Sequence, residues 1–346
     1  MTLMIPQRYP HRTVEQIRVL NVQSGGHVRK QHVVSQLILR RFAAPNGLPH
    51  AGRIGSINLE WPSAKPCYYF PAGTGYIADF VRFASKTMEM VWHETENRLP
   101  EAIDACLERT VLSRPDLVEV LKGAIAMHHV RNVHLRSFLD PIWHDRVAAL
   151  RRLLLTERRS MAEYEFRRRY HGLVPGPGCL EFIVDDALAP MQALWRDDGF
   201  FRDSLERLYR LSVSTLAGWG LQVCTPETGE FLLGDAPALA ISSDGRIGLR
   251  DGVGLNEAIT IALPITPYCM IALGETDTYL PLSQDQVDVL NRHQIRGAAR
   301  HMYFRPGSSL EPFVRTNAHF HALRYSNHGE NDGVWSEPRS WQQSCR

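Results

Sequence analysis

Residues Leu117–Leu139 read LVEVLKGAIAMHHVRNVHLRSFL. No proline interrupts the run, and at about 3.6 residues per turn it makes roughly six helical turns. Leu117, Leu121, Ala124, His128, Leu135 and Leu139 fall on one stripe, with Arg131 and Asn132 at its edges. Val118, Val120, Met127, Val130 and Val133 make the other faces apolar as well. A helix that is apolar nearly all round is buried, and a histidine, an arginine and an asparagine on its core stripe must then find partners. The stretch predicts a central buried helix carrying a polar cluster.

On its N-terminal side, Pro115 suits a first helical turn, with Ser113 as a cap. Before it, the segment from Ala78 is helical, with Val91, Glu94, Thr95 and Arg98 on one face and a kink or restart at Pro100. Arg29–Phe42 has apolar residues at helical spacing between His32 and the Arg40-Arg41 pair, whose charges suit a helix end. Residues 43–75 are rich in Pro and Gly and suggest short strands such as Gly52–Leu59. Residues 1–26 read as a loose arm.

On the other side, a basic helix is expected from Ile142 to about Tyr170. Its sector of Arg151, Arg152, Arg158, Arg159 and Arg169 can either track a phosphate backbone or form a solvated face with i,i+4 partners such as Glu165. Leu180–Leu216 reads as further helix. Short apolar runs between Leu221 and Gly274 then predict an antiparallel or mixed sheet. A helix over Gln284–Arg300, capped by Ser283 or Asp285, precedes a last strand near Met302–Phe304. Helices first and strands later give an α+β fold: a mostly helical N-terminal part packed on a small sheet in the C-terminal part. The boundaries are an arm at 1–26, one domain at 27–305 and a polar tail at 306–346.

Composition excludes more than it assigns. Of 346 residues, 44% are hydrophobic and 22% charged, as in a globular protein, and the net charge of +2 does not call for a polyanion. The six cysteines form no CxxC pair, so a zinc knuckle or disulfide scaffold is not expected. MTLMIPQRYPHR lacks the apolar core of a signal peptide, and Ala258–Leu273 is too short to span a bilayer, which points to a soluble, cytoplasmic chain with no membrane partner. No GxSxG elbow, phosphate loop or HExxH signature occurs. GRIGLRDGVGLN reads as a hairpin turning at Asp244-Gly245. His319 and His321 in AHFHAL would share one face of a strand, where such a pair can ligate a metal or form a polar edge. Neither a metal nor a cofactor can be named.

The stretch His32-Val33-Val34-Ser35-Gln36-Leu37-Ile38-Leu39-Arg40-Arg41-Phe42 resembles the opening motif of the bacterial domain of unknown function 4238 family, which reads His-Tyr-Val-Pro-Gln-Phe-Tyr-Leu-Arg-Arg-Phe. The family's further landmarks map onto Glu94 or Glu96, Arg131, Gly234-Asp235-Ala236-Pro237, Pro264-Ile265-Thr266-Pro267 and Asn291. The likeness spans roughly 32–305. Ser35, Val33 and Ala236 depart from the family's proline, tyrosine and asparagine. The resemblance implies a fold and a set of landmarks, without an activity.

If the fold gathers His32, Glu94, Arg131 and Asp235, the four make a catalytic group. His32 would move a proton, Arg131 would hold an oxyanion, and the carboxylates would orient it. Arg151, Arg152, Arg158, Arg159 and Asn291 would then bind substrate. The expected function is a hydrolase acting on nucleic acid or another phosphate-bearing ligand. The alternative is a non-catalytic interaction or regulatory protein in which the same side chains are internal braces.

Overall fold

The computed structural model describes residues 30–78, 80–81, 86–196 and 198–322, without the side chains of 78, 86–91, 94 and 322. The expected arm at 1–26 and the tail beyond 322 lie outside the described residues.

The chain begins with strand β1 (Lys30–His32) and helix α1 (Gln36–Arg41), then β2 (Ile54–Asn58), β3 (Cys67–Tyr69) and β4 (Tyr76–Ala78). Helices α2 (Lys86–Leu107), α3 (Pro115–Val130), α4 (Leu135–Leu155), α5 (Arg159–Arg169), α6 (Cys179–Arg196) and α7 (Gly199–Leu216) follow. Then come β5 (Gly220–Pro226), β6 (Leu233–Gly234), β7 (Leu239–Ser242), β8 (Ala258–Thr266), β9 (Cys269–Gly274), β10 (Thr278–Leu282), α8 (Gln284–Gly297), β11 (His301–Phe304), α9 (Leu310–Asn317) and α10 (His319–Ala322). The fold is α+β.

One five-stranded sheet runs β10-β5-β9-β8-β7, with β10 parallel to β5 and the other pairs antiparallel. Pro264 sits inside β8 where the pairing with β9 shifts register, a place where a missing N–H is tolerated. A second sheet, β3-β2-β11-β6, joins early and late strands, and β1 pairs with β4. Ser283 and Gln286 form a capping box at the start of α8. The turn at Asp244-Gly245 is present, with Gly245 at φ 81° and its N–H donating to Ser242 O (3.1 Å).

The described chain divides into two compact units. One is built on Arg136–Ser204, the other on residues of 30–80, 87–135 and 205–322. In the first, Trp143 stacks on Trp195 (5.4 Å) and meets Phe200 (4.2 Å), while Ala162, Phe166, Ile183 and Val184 form an apolar cluster. In the second, α3 is the buried rod that the sequence predicts: Leu117, Val118 and every residue from Leu121 to Val130 are buried. It packs against β8, and α1 packs against the same strand. Gly123 lets α2 come close, since a Cβ there would lie 3.1 Å from Thr95 Oγ1.

Several expectations need correction. The central helix stops at Val130, not Leu139. Arg131 leaves helical geometry (φ −80°, ψ 11°), and Asn132 Oδ1 takes the His134 N–H (2.9 Å). That local bond offers the backbone an alternative to another helical turn. The basic helix is two helices, broken between Leu155 and Arg159, and its first part already includes Pro141. The Arg29–Phe42 stretch is a strand and a helix, because Ser35 caps α1 by accepting from Leu37 N (3.3 Å). His319 and His321 lie on α10, not on a strand. Residues 306–322, polar by composition, hold α9 and α10, and Leu310 and Val314 are buried in a core cluster with Phe304.

Candidate functional site

His32 ends β1, opposite Tyr76 of β4, whose ring meets the imidazole edge-on at 5.7 Å. The chain then turns sharply. The N–H groups of Val33 and Val34 both donate to Gly75 O (2.9 and 3.1 Å), and Ser35 starts α1. One residue into that helix, Gln36 Nε2 donates to His32 Nε2 (3.0 Å). With Nε2 accepting, the ring proton is assigned to Nδ1.

Arg131 caps the end of α3 and is 4% exposed. Its Nη1 pairs with Glu96 Oε1 of α2 (3.0 Å), and its guanidinium lies 4.6 Å from the centre of the Trp92 ring. Trp92 is itself buried, and its indole N–H has no acceptor among the described residues. An unpartnered buried donor is costly to leave unmade. Burial, and next to it the Arg131 charge, pull the His32 pKa down to about 4; Glu96 opposes this and Lys30 adds to it. His32 is therefore neutral at pH 7, inside a positive field. Lys30 lies 4.9 Å over the Tyr76 ring on the same corner.

His128, one turn before Arg131's cap, ties this corner to the central helix. Its Nδ1 donates to Ala124 O (2.8 Å) and its Nε2 accepts the Ser35 N–H (3.1 Å). Full burial pulls its pKa down to about 4. It is a structural imidazole with both nitrogens engaged.

The other expected residues are placed elsewhere. The side chain of Glu94 lies outside the described residues; Glu96, the other glutamate that the motif allowed, makes the arginine pair. Asp235 is 2% exposed and accepts three backbone N–H groups, from Ala299 (2.6 Å), Arg300 (2.9 Å) and His301 (2.8 Å). It holds the turn between α8 and β11 and makes no hydrogen bond or ion pair with His32 or Arg131. Asn291 is fully buried, accepting from Leu232 N (2.7 Å) and donating to Glu230 O (2.9 Å). Gln294, three residues on, does the same for Gly234 N and Pro237 O (3.1 and 3.0 Å). In the other compact unit, Arg151 grips Asp185 through two bonds (2.6 and 3.1 Å) and Arg159 pairs with Glu163 (2.9 Å). Arg152 and Arg158 are exposed without an ion-pair partner among the described residues.

Gln36, Trp92 and Tyr76 were not singled out in the sequence. Gln36 lies four residues after His32, a spacing that signals contact within a helix; here a strand and a turn produce it. His319 Nδ1 and His321 Nε2 each bond a backbone carbonyl, of Thr316 (3.1 Å) and Ala299 (3.0 Å). Among the described residues no group of three or more His, Cys, Asp or Glu is placed to hold a metal ion, and no helix is long and apolar enough to cross a membrane.

The model of a family described as a protein of unknown function (DUF4238) matches residues 30–308. The chain belongs to that family. The match starts at β1 and ends just before α9, so in DUF4238 terms the His32 corner, Arg131 and the Asp235 turn all lie within the matched region. No curated protein and no solved structure matches the chain.

Proposed function

We propose that this member of the family is a hydrolase acting on a phosphate-bearing substrate, a nucleic acid among the candidates, with its reacting centre at His32, Arg131 and Glu96. The observation that carries the reading is a histidine whose pKa burial and the Arg131 charge pull down, with that guanidinium lying over the Trp92 ring, whose indole N–H has no acceptor among the described residues. Arg131 and Trp92 would hold a phosphate oxygen, with Glu96 orienting the guanidinium. A bound phosphate would offset the Arg131 and Lys30 charges and raise the proton affinity of His32 towards its ordinary range. Once Gln36 releases it, His32 Nε2 would take a proton from water as the oxygen attacks phosphorus, and would return it to the departing oxygen. Relative to the sequence reading, Glu96 replaces Glu94, and Asp235 and Asn291 become scaffold. Arg152 and Arg158 would remain available to a polyanionic substrate.

The test is turnover on a panel of phosphomonoesters, phosphodiesters and single-stranded nucleic acids. His32→Ala should lower turnover by at least about 100-fold with an unchanged melting temperature. Unchanged turnover in His32→Ala, or none at all in the native chain, would defeat the proposal.

A second reading is supported by Asp235 and Asn291, whose polar atoms are all engaged with backbone. On it the family landmarks are braces and the chain is a non-catalytic interaction or regulatory protein. It predicts that Arg131→Ala lowers the melting temperature while no substrate turns over.

A further inference from the structure

Arg40 and Arg41 adjoin at the end of α1 but meet different surroundings. Arg41 pairs with Asp104 (2.7 Å) and reaches Pro100 O (3.5 Å). The Arg40 side chain has no ion-pair partner among the described residues and lines a cavity of about 490 Å³. A helix-end charge accounts for Arg40 by itself, but not for a cavity beside it.

The cavity is walled by the loop that carries Asn46 and Gly52 and by Phe70 and Pro71. That loop is held in place. Ala44 N donates to Arg53 O (2.8 Å), Gly52 N to Ala44 O (2.8 Å) and Arg53 N to His50 O (2.9 Å), while His50 stacks on Tyr68 at 3.6 Å. Phe70 is 58% exposed, so part of its ring is open to solvent. The Arg53 guanidinium lies 4.8 Å from its centre, also without an acidic partner among the described residues. Arg40 and the exposed part of the Phe70 ring thus line one open cleft, while Arg53 packs on that ring without lining the cleft.

We propose that this cavity binds a small aromatic anion, a planar ring bearing a phosphate or carboxylate, with Phe70 against the ring and Arg40 against the acid group. Arg40 offers a charge-assisted hydrogen bond that no acid among the described residues takes up, and the Phe70 ring, which Arg53 approaches, offers stacking on its exposed part. The Arg40 site shares no residue with the His32 corner and does not rest on the hydrolase reading.

The experiment is calorimetric titration of the full chain with adenosine monophosphate and, separately, with benzoate. The expected result is saturable binding of at least one probe, with adenosine and inorganic phosphate each at least about tenfold weaker. Arg40→Gln and Phe70→Ala should each weaken binding by about tenfold or more. Adenosine monophosphate binding better would identify a phosphate ligand, and benzoate a carboxylate. Absence of saturation by either probe up to about 5 mM would overturn the proposal. So would native affinity in both variants.

Discussion

His128 and Asp235 show what a buried polar side chain does when it is a brace: every side-chain nitrogen or oxygen has a protein partner. His32 differs, because its Nε2 meets one side-chain amide and the charges near it are Arg131 and Lys30, opposed by Glu96. Asp235→Asn keeps the shape of the turn but replaces a charged acceptor by a neutral amide. It should cost on the order of 1–3 kcal/mol, read as a lower urea midpoint, with the affinity of Arg40's cavity unchanged. The type of residue was legible at this scale and its partner was not. Arg131 on a core stripe announces that it needs a carboxylate, yet nothing local says whether Glu94, Glu96 or Asp235 supplies it. The choice follows from how α2 lies against α3, a non-local matter.

At the scale of elements, the corner from β1 into α1 sets where His32 points. Gly75 makes that corner: its carbonyl accepts two N–H groups, its φ is +68°, and a Cβ there would lie 2.7 Å from Leu39 Cδ1. Gly75→Ala should destabilise the chain by about 1–3 kcal/mol, seen as a lower melting temperature, and should reduce any turnover through a displaced His32. The burial of α3 was readable from its all-round apolarity, and Ser283 was one of two candidate caps for α8 with Asp285, while its capping-box partner Gln286 was not foreseen. The end of α3 was not, because period alone continues through Asn132, where a side-chain bond to His134 N ends the helix. The break between α4 and α5 was hidden for the same reason: Thr156, Glu157 and Arg158 are compatible with either state. The pairing of β11 with β2 joins residues more than 240 positions apart and leaves no local trace.

For the molecule as a whole, the buried histidines set a pH window. His128 and His129 have pKa values pulled from 6.5 to about 4 by burial. The unfolded chain therefore binds more protons between those values, and stability is full above about pH 6.5 and falls as the pH drops towards 4. Each fully buried ring contributes on the order of 3 kcal/mol to that loss. Urea midpoints measured from pH 7.5 down to 4 should decline steeply across this range, and a flat profile would show that the rings are not held neutral. The same measurement on His129→Leu, which removes a ring whose Nδ1 has no partner among the described residues, should give a shallower decline. The most direct test of the His32 corner is an NMR titration of its ring in the native chain, with and without inorganic phosphate. The expected result is a pKa near 4 in the free chain that rises when phosphate binds. A ring that titrates at its ordinary value and ignores phosphate would contradict a neutral imidazole poised beside Arg131.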